Sequence, residues 1–276
     1  MKFKSYVVNL KKDKDRWINI NNNFTNTGIN IYRFNAIYGK TDKYKYYDYL
    51  TPFCKMYGTD FIIGCGLSHI LLAKYIYEND LNDTFKFALI MEDDMKPIDK
   101  TKIYDQIIDT FTTINKIDPE WEIIRLHCFG LCGYNNNNYN INSYSFSNGS
   151  YLISKYGIIK LMNLKLNYHL DTQIHKTFKR IYKSKEILFI NNGENDSNNV
   201  TYIIKTHIRL NNYSPSIDYF LHAPFIKLFS TELKTFNIIV IFGLLLFLIN
   251  EKYLIYYFII LTVIIIYFKI LFYYYR

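Results

Sequence analysis

The chain has 276 residues, half of them apolar and 18% aromatic, with a formal charge of +9. That length can bury a full core and that composition excludes global disorder. The 33 lysines and arginines are spread along the chain and no dense basic block joins a nucleic-acid motif, which excludes nucleic acid as the partner and leaves anionic substrates or lipid headgroups compatible with the charge.

The start, Met1-Lys2-Phe3-Lys4, is basic but lacks the apolar run of about 7–15 residues that a signal peptide needs, so no secretory entry is expected there. Ser5 to Leu10 reads as a short strand, and the charged stretch Lys11 to Arg16 leads into an amphipathic helix reaching about Thr27. Ile29 to Asn35 is a second strand. Phe61-Ile62-Ile63 is a short apolar run that enters a helix, Gly64 to Tyr77, through Gly64 and Gly66. In that reading Ser68 and His69 lie in the first helical turn, where free N–H groups favour phosphate or ribose oxygens.

Phe85 to Met91 is an apolar run of the buried-strand type and stops at Glu92-Asp93-Asp94. Ligands of open α/β sheets collect at the carboxyl ends of strands, so these acids stand where a site is expected. Adjacent carboxylates repel unless a cation or solvent offsets them, and Mg²⁺ or Mn²⁺ prefers such oxygen ligands. An acidic turn open to water is the plainer alternative. Helix over Lys100 to Ile114, strand over Trp121 to His127, strand over Gly149 to Ile153 and helix over Lys155 to Leu166 continue the alternation, which implies an α/β domain with a largely parallel sheet.

Tyr134 to Tyr144 and Asn191 to Asn199 are polar, Asn-rich loops, and the Asn-x-Ser/Thr triplets at Asn148 and Asn199 are common in so Asn-rich a chain. That bias in Asn, Ile, Lys and Tyr is the signature of an AT-rich genome. Cys54, Cys65, Cys128 and Cys132 are too few and too irregular for a disulfide scaffold and read as free thiols. Cys128 and Cys132 beside His127 form at most half of a zinc site.

After Pro224 the chain turns hydrophobic. Phe236 to Ile249 and Tyr253 to Tyr275 flank the polar break Asn250-Glu251-Lys252. As helices the two runs would span about 21 Å and about 34 Å, against a hydrocarbon core of roughly 30 Å, so the second can cross a bilayer and the first falls short. The expected organisation is a catalytic domain over 1–225 and a membrane-associated hairpin or anchor over 226–276. Lys227, Lys234, Lys269 and Arg276 outnumber Lys252 at the tip, which places the catalytic domain on the cytosolic side, or its viral equivalent.

The order of these motifs resembles glycosyltransferase family 25, which includes lipooligosaccharide galactosyltransferases and collagen-type hydroxylysine galactosyltransferases. Val7-Val8-Asn9-Leu10-Lys11 with Asp15-Arg16, Gly64-Cys65 with Ser68-His69, Ala88 to Asp94, and Tyr151 to Ser154 with Gly157 match its pattern over roughly Ser5 to Leu170. The family's A-V-D-G is here Ala36-Ile37-Tyr38-Gly39, without the Asp. The resemblance implies a GT-A type, Rossmann-like fold, a UDP-sugar donor, a glycan or hydroxylated-protein acceptor, and inverting transfer of a hexose such as galactose or glucose. It further implies Mn²⁺ or Mg²⁺ on Asp93 and Asp94, donor contacts from Asn9, Arg16, Ser68, His69 and Glu92, and Asp171 as the base. His207 is a further candidate, as a late-chain metal or phosphate ligand; on the plainer view it is structural, Arg16 caps the first helix region in solvent and Asp171 is a helix N-cap. Two other readings stay open: a nicotinamide-dependent oxidoreductase using Gly64 to His69 as its phosphate turn, and a catalytically silent membrane adaptor.

Overall fold

A computed structural model describes residues 3–82, 84–127, 129–130, 145–146, 148–191, 224–228, 231–234, 257 and 262–263. The Asn-rich loop 134–144, Asn192 to Asn199, Cys128, Cys132, His207 and nearly all of the apolar tail lie outside these residues. The chain divides into two compact units: Met1–Tyr49 with Asp60–Tyr202, and Leu50–Thr59 with Ile203–Arg276. In the second, helix α3 (Pro52–Tyr57) is capped by Thr51, whose hydroxyl accepts from the Cys54 N–H, and strands β11 (Pro224–Leu228) and β12 (Thr231–Lys234) form an antiparallel pair.

The first unit is a six-stranded sheet between two layers of helix. Strand β1 (Lys4–Asn9) is the sheet's organiser, paired in parallel with β2 (Ile31–Asn35) on one side and β3 (Ala88–Glu92) on the other. Both faces of β1 and β3 are covered, which is why Tyr6-Val7-Val8 and Ala88 to Met91 are consecutive apolar residues rather than an alternating pattern. Val7, Leu89, Met91, Ile124 and Leu152 point to one face, where Ile20 and Phe24 of α1 (Lys14–Phe24) and Ile103, Ile107, Phe111 and Ile114 of α5 (Ile103–Ile117) close over them. On the other face Tyr6 meets Tyr75, and Tyr151 meets His69, both partners lying on α4 (Asp60–Asn79).

The sheet order is β2-β1-β3-β8-β5-β9, with β5 (Ile123–Arg125), β8 (Ser150–Ile153) and β9 (Ile181–Lys183) completing it. Five strands run one way. β8 is antiparallel to both neighbours, which departs from a simple alternation of parallel strands. A parallel neighbour requires a crossover, usually a helix. Between β5 and β8 the described chain instead makes a short antiparallel pair, β6 (Phe129–Gly130) with β7 (Ser145–Phe146), and returns beside β5 in the opposite sense. The expected strand at Trp121 to His127 shrinks to three residues because Trp121 turns into the core beside α5, and the helix expected to Leu166 is α6 (Lys155–Met162).

The larger correction concerns α4. It starts at Asp60 and absorbs Phe61-Ile62-Ile63, so Ser68 and His69 lie in its third turn, with their N–H groups inside the helix. No phosphate-binding turn exists at Gly64 to His69, and the oxidoreductase reading loses its basis. Glycine in a helix interior costs roughly 1 kcal/mol relative to alanine, so its presence needs a packing reason. A Cβ at Gly64 would stand 2.7 Å from the carbonyl oxygen of Ile37, and one at Gly66 would stand 2.6 Å from the Leu166 side chain. The glycines admit neighbouring protein rather than a ligand. By composition α4 is also long and apolar enough to cross a membrane, but about half of it is buried within this unit.

Candidate active site at the carboxyl end of strand β3

β3 ends at Glu92, and Asp93 and Asp94 form the turn into β4 (Met95–Pro97), which pairs antiparallel with β10 (Phe189–Asn191). The parallel register of β1 against β3 sets Val8 opposite Glu92, so Asn9 projects at the same edge as the acids. Its Nδ2 donates to Asp93 Oδ2 at 2.6 Å and to the Asp13 carbonyl at 3.1 Å, while its Oδ1 is buried with no partner. Arg16 sits in the first turn of α1, and its Nη1 donates to Asp93 Oδ1 at 2.9 Å. Each oxygen of Asp93 therefore has a protein donor. Arg16 is engaged with a carboxylate, not capping α1 in solvent.

Asp94 is treated differently. Its Oδ2 receives a long bond, 3.4 Å, from Asn191 Nδ2, and its Oδ1 is buried with no partner. Burial, then the charges of Glu92 and Asp93, push its carboxyl up to about 7. Burial also raises Asp93, against the lowering effect of Asn9 and Arg16. A half-buried carboxylate with one enclosed, unpartnered oxygen and like charges beside it is stabilised by a cation, so the residues fit a hard divalent metal, with Asp94 the better placed ligand.

The motif Gly64-Cys65, Ser68-His69 divides between two helix faces, because residues four apart share a face. Gly64 and Ser68 face the segment leaving β2: Ser68 Oγ accepts from the Ile37 N–H at 2.8 Å and donates to the Gly64 carbonyl at 2.6 Å. Ser68 thus fixes a loop and does not point at the acids. That loop is also tied to β1, the Ala36 N–H donating to the Asn9 carbonyl at 2.9 Å. Tyr38, which stands in place of the family's Asp, lies under the ammonium of Lys12 at 4.3 Å from the ring centre. Cys65 and His69 face Glu92, at 3.8 Å from Sγ and 3.6 Å from Nε2 to its Oε1.

Asp171 belongs to the first turn of α7 (Leu170–Thr177), whose N-cap is His169, so it is not the capping residue. Its Oδ1 lies 2.9 Å from His169 Nδ1, and its charge is one of those that raise the Cys65 thiol. His127 follows β5, where burial, partly opposed by Glu92, lowers its imidazole to about 4. The structure thus brings Asn9, Arg16, Glu92, Asp93 and Asp94 to one edge with His69 beside them, and sets Ser68 behind them. Asn191, Cys65 and Tyr151 were not singled out in the sequence as site residues. Cys65, four residues from His69, and Tyr151 both stand in motifs that the sequence shares with the family, whereas Asn191 carries no such signal. A surface groove of about 350 Å³ lined by Asn21, Phe24, Asn26 and Gly28 shares no residue with this edge.

Residues 2–208 match the family described as glycosyltransferase family 25 (LPS biosynthesis protein). No curated protein matches the chain in sequence. Among solved structures it is similar to a glycosyltransferase involved in the glycosylation of the major capsid of PBCV-1, with 11% identity, 69% of this chain and 93% of that chain covered, and a TM-score of 0.40. It is also similar to A197 from STIV, with 11% identity, 75% and 100% of the two chains covered, and a TM-score of 0.34.

Proposed function

The chain belongs to glycosyltransferase family 25 and is a glycosyltransferase, and from that premise we propose that it moves a hexose from a UDP-sugar to a hydroxyl of a glycan or protein, with inversion. The observation that carries this reading is the pair of unlike acids at one strand end: Asp93 hydrogen-bonded by Asn9 and paired with Arg16, Asp94 half-buried with an unpartnered oxygen. Asp94, with Asp93 beside it, would hold Mn²⁺ or Mg²⁺, which would supply positive charge against the donor diphosphate. Arg16 and Asn9 hold the Asp93 carboxylate in place, and the unpartnered Oδ1 of Asn9 is an acceptor suited to a ribose hydroxyl or a base N–H. Tyr38 with Lys12 supplies a flat, cationic flank at the same edge, in place of the family's carboxylate.

Asp171 is the proposed base for the acceptor hydroxyl. The acceptor proton passes to its carboxylate as the hydroxyl oxygen bonds to the anomeric carbon and the UDP oxygen leaves. His169 supports the role, since a nearby imidazole orients the carboxylate and can relay the proton onward. The apolar tail, represented in the structure by Tyr257, Thr262 and Val263, is proposed as a membrane attachment that leaves the catalytic unit in the cytosol. Its support is the excess of lysine and arginine flanking the runs over Lys252 between them.

Thermal unfolding in the presence of UDP, individual UDP-sugars and NADH, each with and without Mn²⁺, tests the reading. Stabilisation by UDP that requires Mn²⁺ is expected, with metal-dependent hydrolysis of one UDP-sugar above the others. Stabilisation by NADH and none by UDP would overturn it.

A further inference from the structure

We propose that Cys65, His69 and Glu92 form a binding site for a zinc-class divalent cation, distinct from the oxygen ligands of Asp93 and Asp94. The placement begins in the sequence. Cys65 and His69 are four apart on α4, so the thiol and the imidazole occupy one helix face, and the strand packed beside that face ends at Glu92. The three donor atoms lie within 4.8 Å of one another. Tetrahedral zinc bonds of about 2.3 Å to sulfur and about 2.0–2.2 Å to nitrogen and oxygen set donors roughly 3.4–3.6 Å apart. The observed separations, 3.6 Å from His69 Nε2 to Glu92 Oε1 and 3.8 Å from Cys65 Sγ to the same oxygen, are close to that spacing.

His69 supplies the second, independent observation. Its side chain has no exposure, and Nε2, the nitrogen turned toward Glu92, has no hydrogen-bond partner. Leaving a buried polar atom unpaired costs about 1–3 kcal/mol, so the position calls for a partner. The other nitrogen, Nδ1, is 2.9 Å from the hydroxyl of Tyr151, which is itself buried. With Nδ1–H donating to Tyr151, the Nε2 lone pair faces Cys65 and Glu92. Metal-bound histidines are held in this manner, the second nitrogen fixed by an outer partner.

The donor set selects the ion. A thiolate and an imidazole favour zinc over magnesium or manganese, which take oxygen ligands. Withdrawal from water and the charge of Glu92 keep the Cys65 thiol protonated in the cation-free protein. Binding therefore releases the thiol proton to solvent as the sulfur–metal bond forms, and affinity rises with pH. Three protein ligands leave a fourth position for water or an acceptor oxygen. The ion would also pin the end of β3, next to Asp93, onto α4.

The test uses the full chain, stripped by chelation and titrated with Co²⁺ and then Zn²⁺. Wild type is expected to develop a thiolate-to-cobalt charge-transfer band in the near ultraviolet that saturates with one equivalent of Co²⁺ at this site and is displaced by Zn²⁺. Cys65→Ser should lose the band, and His69→Gln and Glu92→Gln should weaken binding at least tenfold while far-ultraviolet circular dichroism stays unchanged. Asp94→Asn and Cys128→Ser/Cys132→Ser should keep the band. Absence of the band in wild type, its persistence in Cys65→Ser, or its loss in Asp94→Asn would overturn the proposal. If Cys65→Ser fails to fold, undiminished binding by both His69→Gln and Glu92→Gln does so instead.

Discussion

Two carboxylates sit at opposite edges of the same sheet, Asp80 buried and Asp94 half-buried with its Oδ1 enclosed. At the edge where β1 and β3 begin, Asp80 follows α4 and is bonded by the Lys4 ammonium and the Tyr6 hydroxyl, so both of its oxygens are satisfied inside the protein. At the edge where those strands end, Asp94 keeps one oxygen open and has Glu92 and Asp93 for neighbours, with Arg16 the nearby cation. Burying a carboxylate is tolerated where a partner is built in. The first edge is closed by the chain itself. The second is left under-neutralised, and a fold that satisfies Asp80 so completely makes the deficit at Asp94 a functional signature rather than poor packing.

Removing the charge at the open edge should produce the largest effect. Asp94→Asn is expected to lower metal-dependent transfer by several kcal/mol of barrier, on the order of 10³-fold, while folding stability holds or rises because a buried repulsion is relieved. Initial rates with a UDP-sugar and Mn²⁺, alongside thermal unfolding, check both halves. Activity within a few-fold of wild type would erase the distinction between the two edges.

Next comes pH. The folded carboxyl of Asp94 is raised to about 7 from a usual value near 3.8, so the native state binds a proton that the unfolded chain has already released. A group raised in this way contributes stability that is complete below about 4 and is lost as pH climbs through about 7. Cation-free protein should thus lose on the order of 2–4 kcal/mol across that window, and Asp94→Asn should flatten the slope. Mn²⁺ should restore stability most at the upper end, where the carboxylate is ionised. Denaturant unfolding at a series of pH values, with and without Mn²⁺, measures it.

The open edge was largely legible in the sequence and the closed one was not. Asn9 and Glu92-Asp93-Asp94 announce themselves because they terminate apolar runs that only a doubly covered strand requires. The pairing of Asp80 with Lys4 and Tyr6 joins residues more than seventy positions apart, and no local pattern encodes it. α4 misled for a related reason. Two glycines in a helix interior read as a helix start until Ile37 and Leu166 are seen to need the space, and that packing moved Ser68 from ligand to loop anchor. The direction of β8 was hidden as well, since strand periodicity carries no sense of direction and the described residues between β5 and β8 form an antiparallel pair. What the sequence conveys well is which residues end buried strands. What it conveys poorly is which buried polar atoms find one another.

The smallest expected effect is the control at the closed edge. Asp80→Asn keeps an oxygen to accept from the Tyr6 hydroxyl but removes the charge that faces Lys4. The Lys4 side chain is 51% exposed, so solvent takes over much of that interaction when the charge is gone. The amide brings two N–H donors into a position where the carboxylate had none, and these need acceptors at a buried site. Together the changes should cost about 1 kcal/mol, a shift of roughly 2–4 °C in melting temperature for a domain of this size. Tyr6→Phe, which leaves the Asp80 carboxylate in place and deletes one donor, should cost a similar amount. Neither substitution should change kcat/KM for a UDP-sugar or the Mn²⁺ requirement, because the sheet separates Asp80 from the acid turn along the full length of β3. Steady-state kinetics beside melting curves distinguish the outcomes: lost stability with intact kinetics keeps the two edges distinct in role, whereas a kinetic defect comparable to that of Asp94→Asn would show that the buried acids act as one electrostatic unit through the sheet.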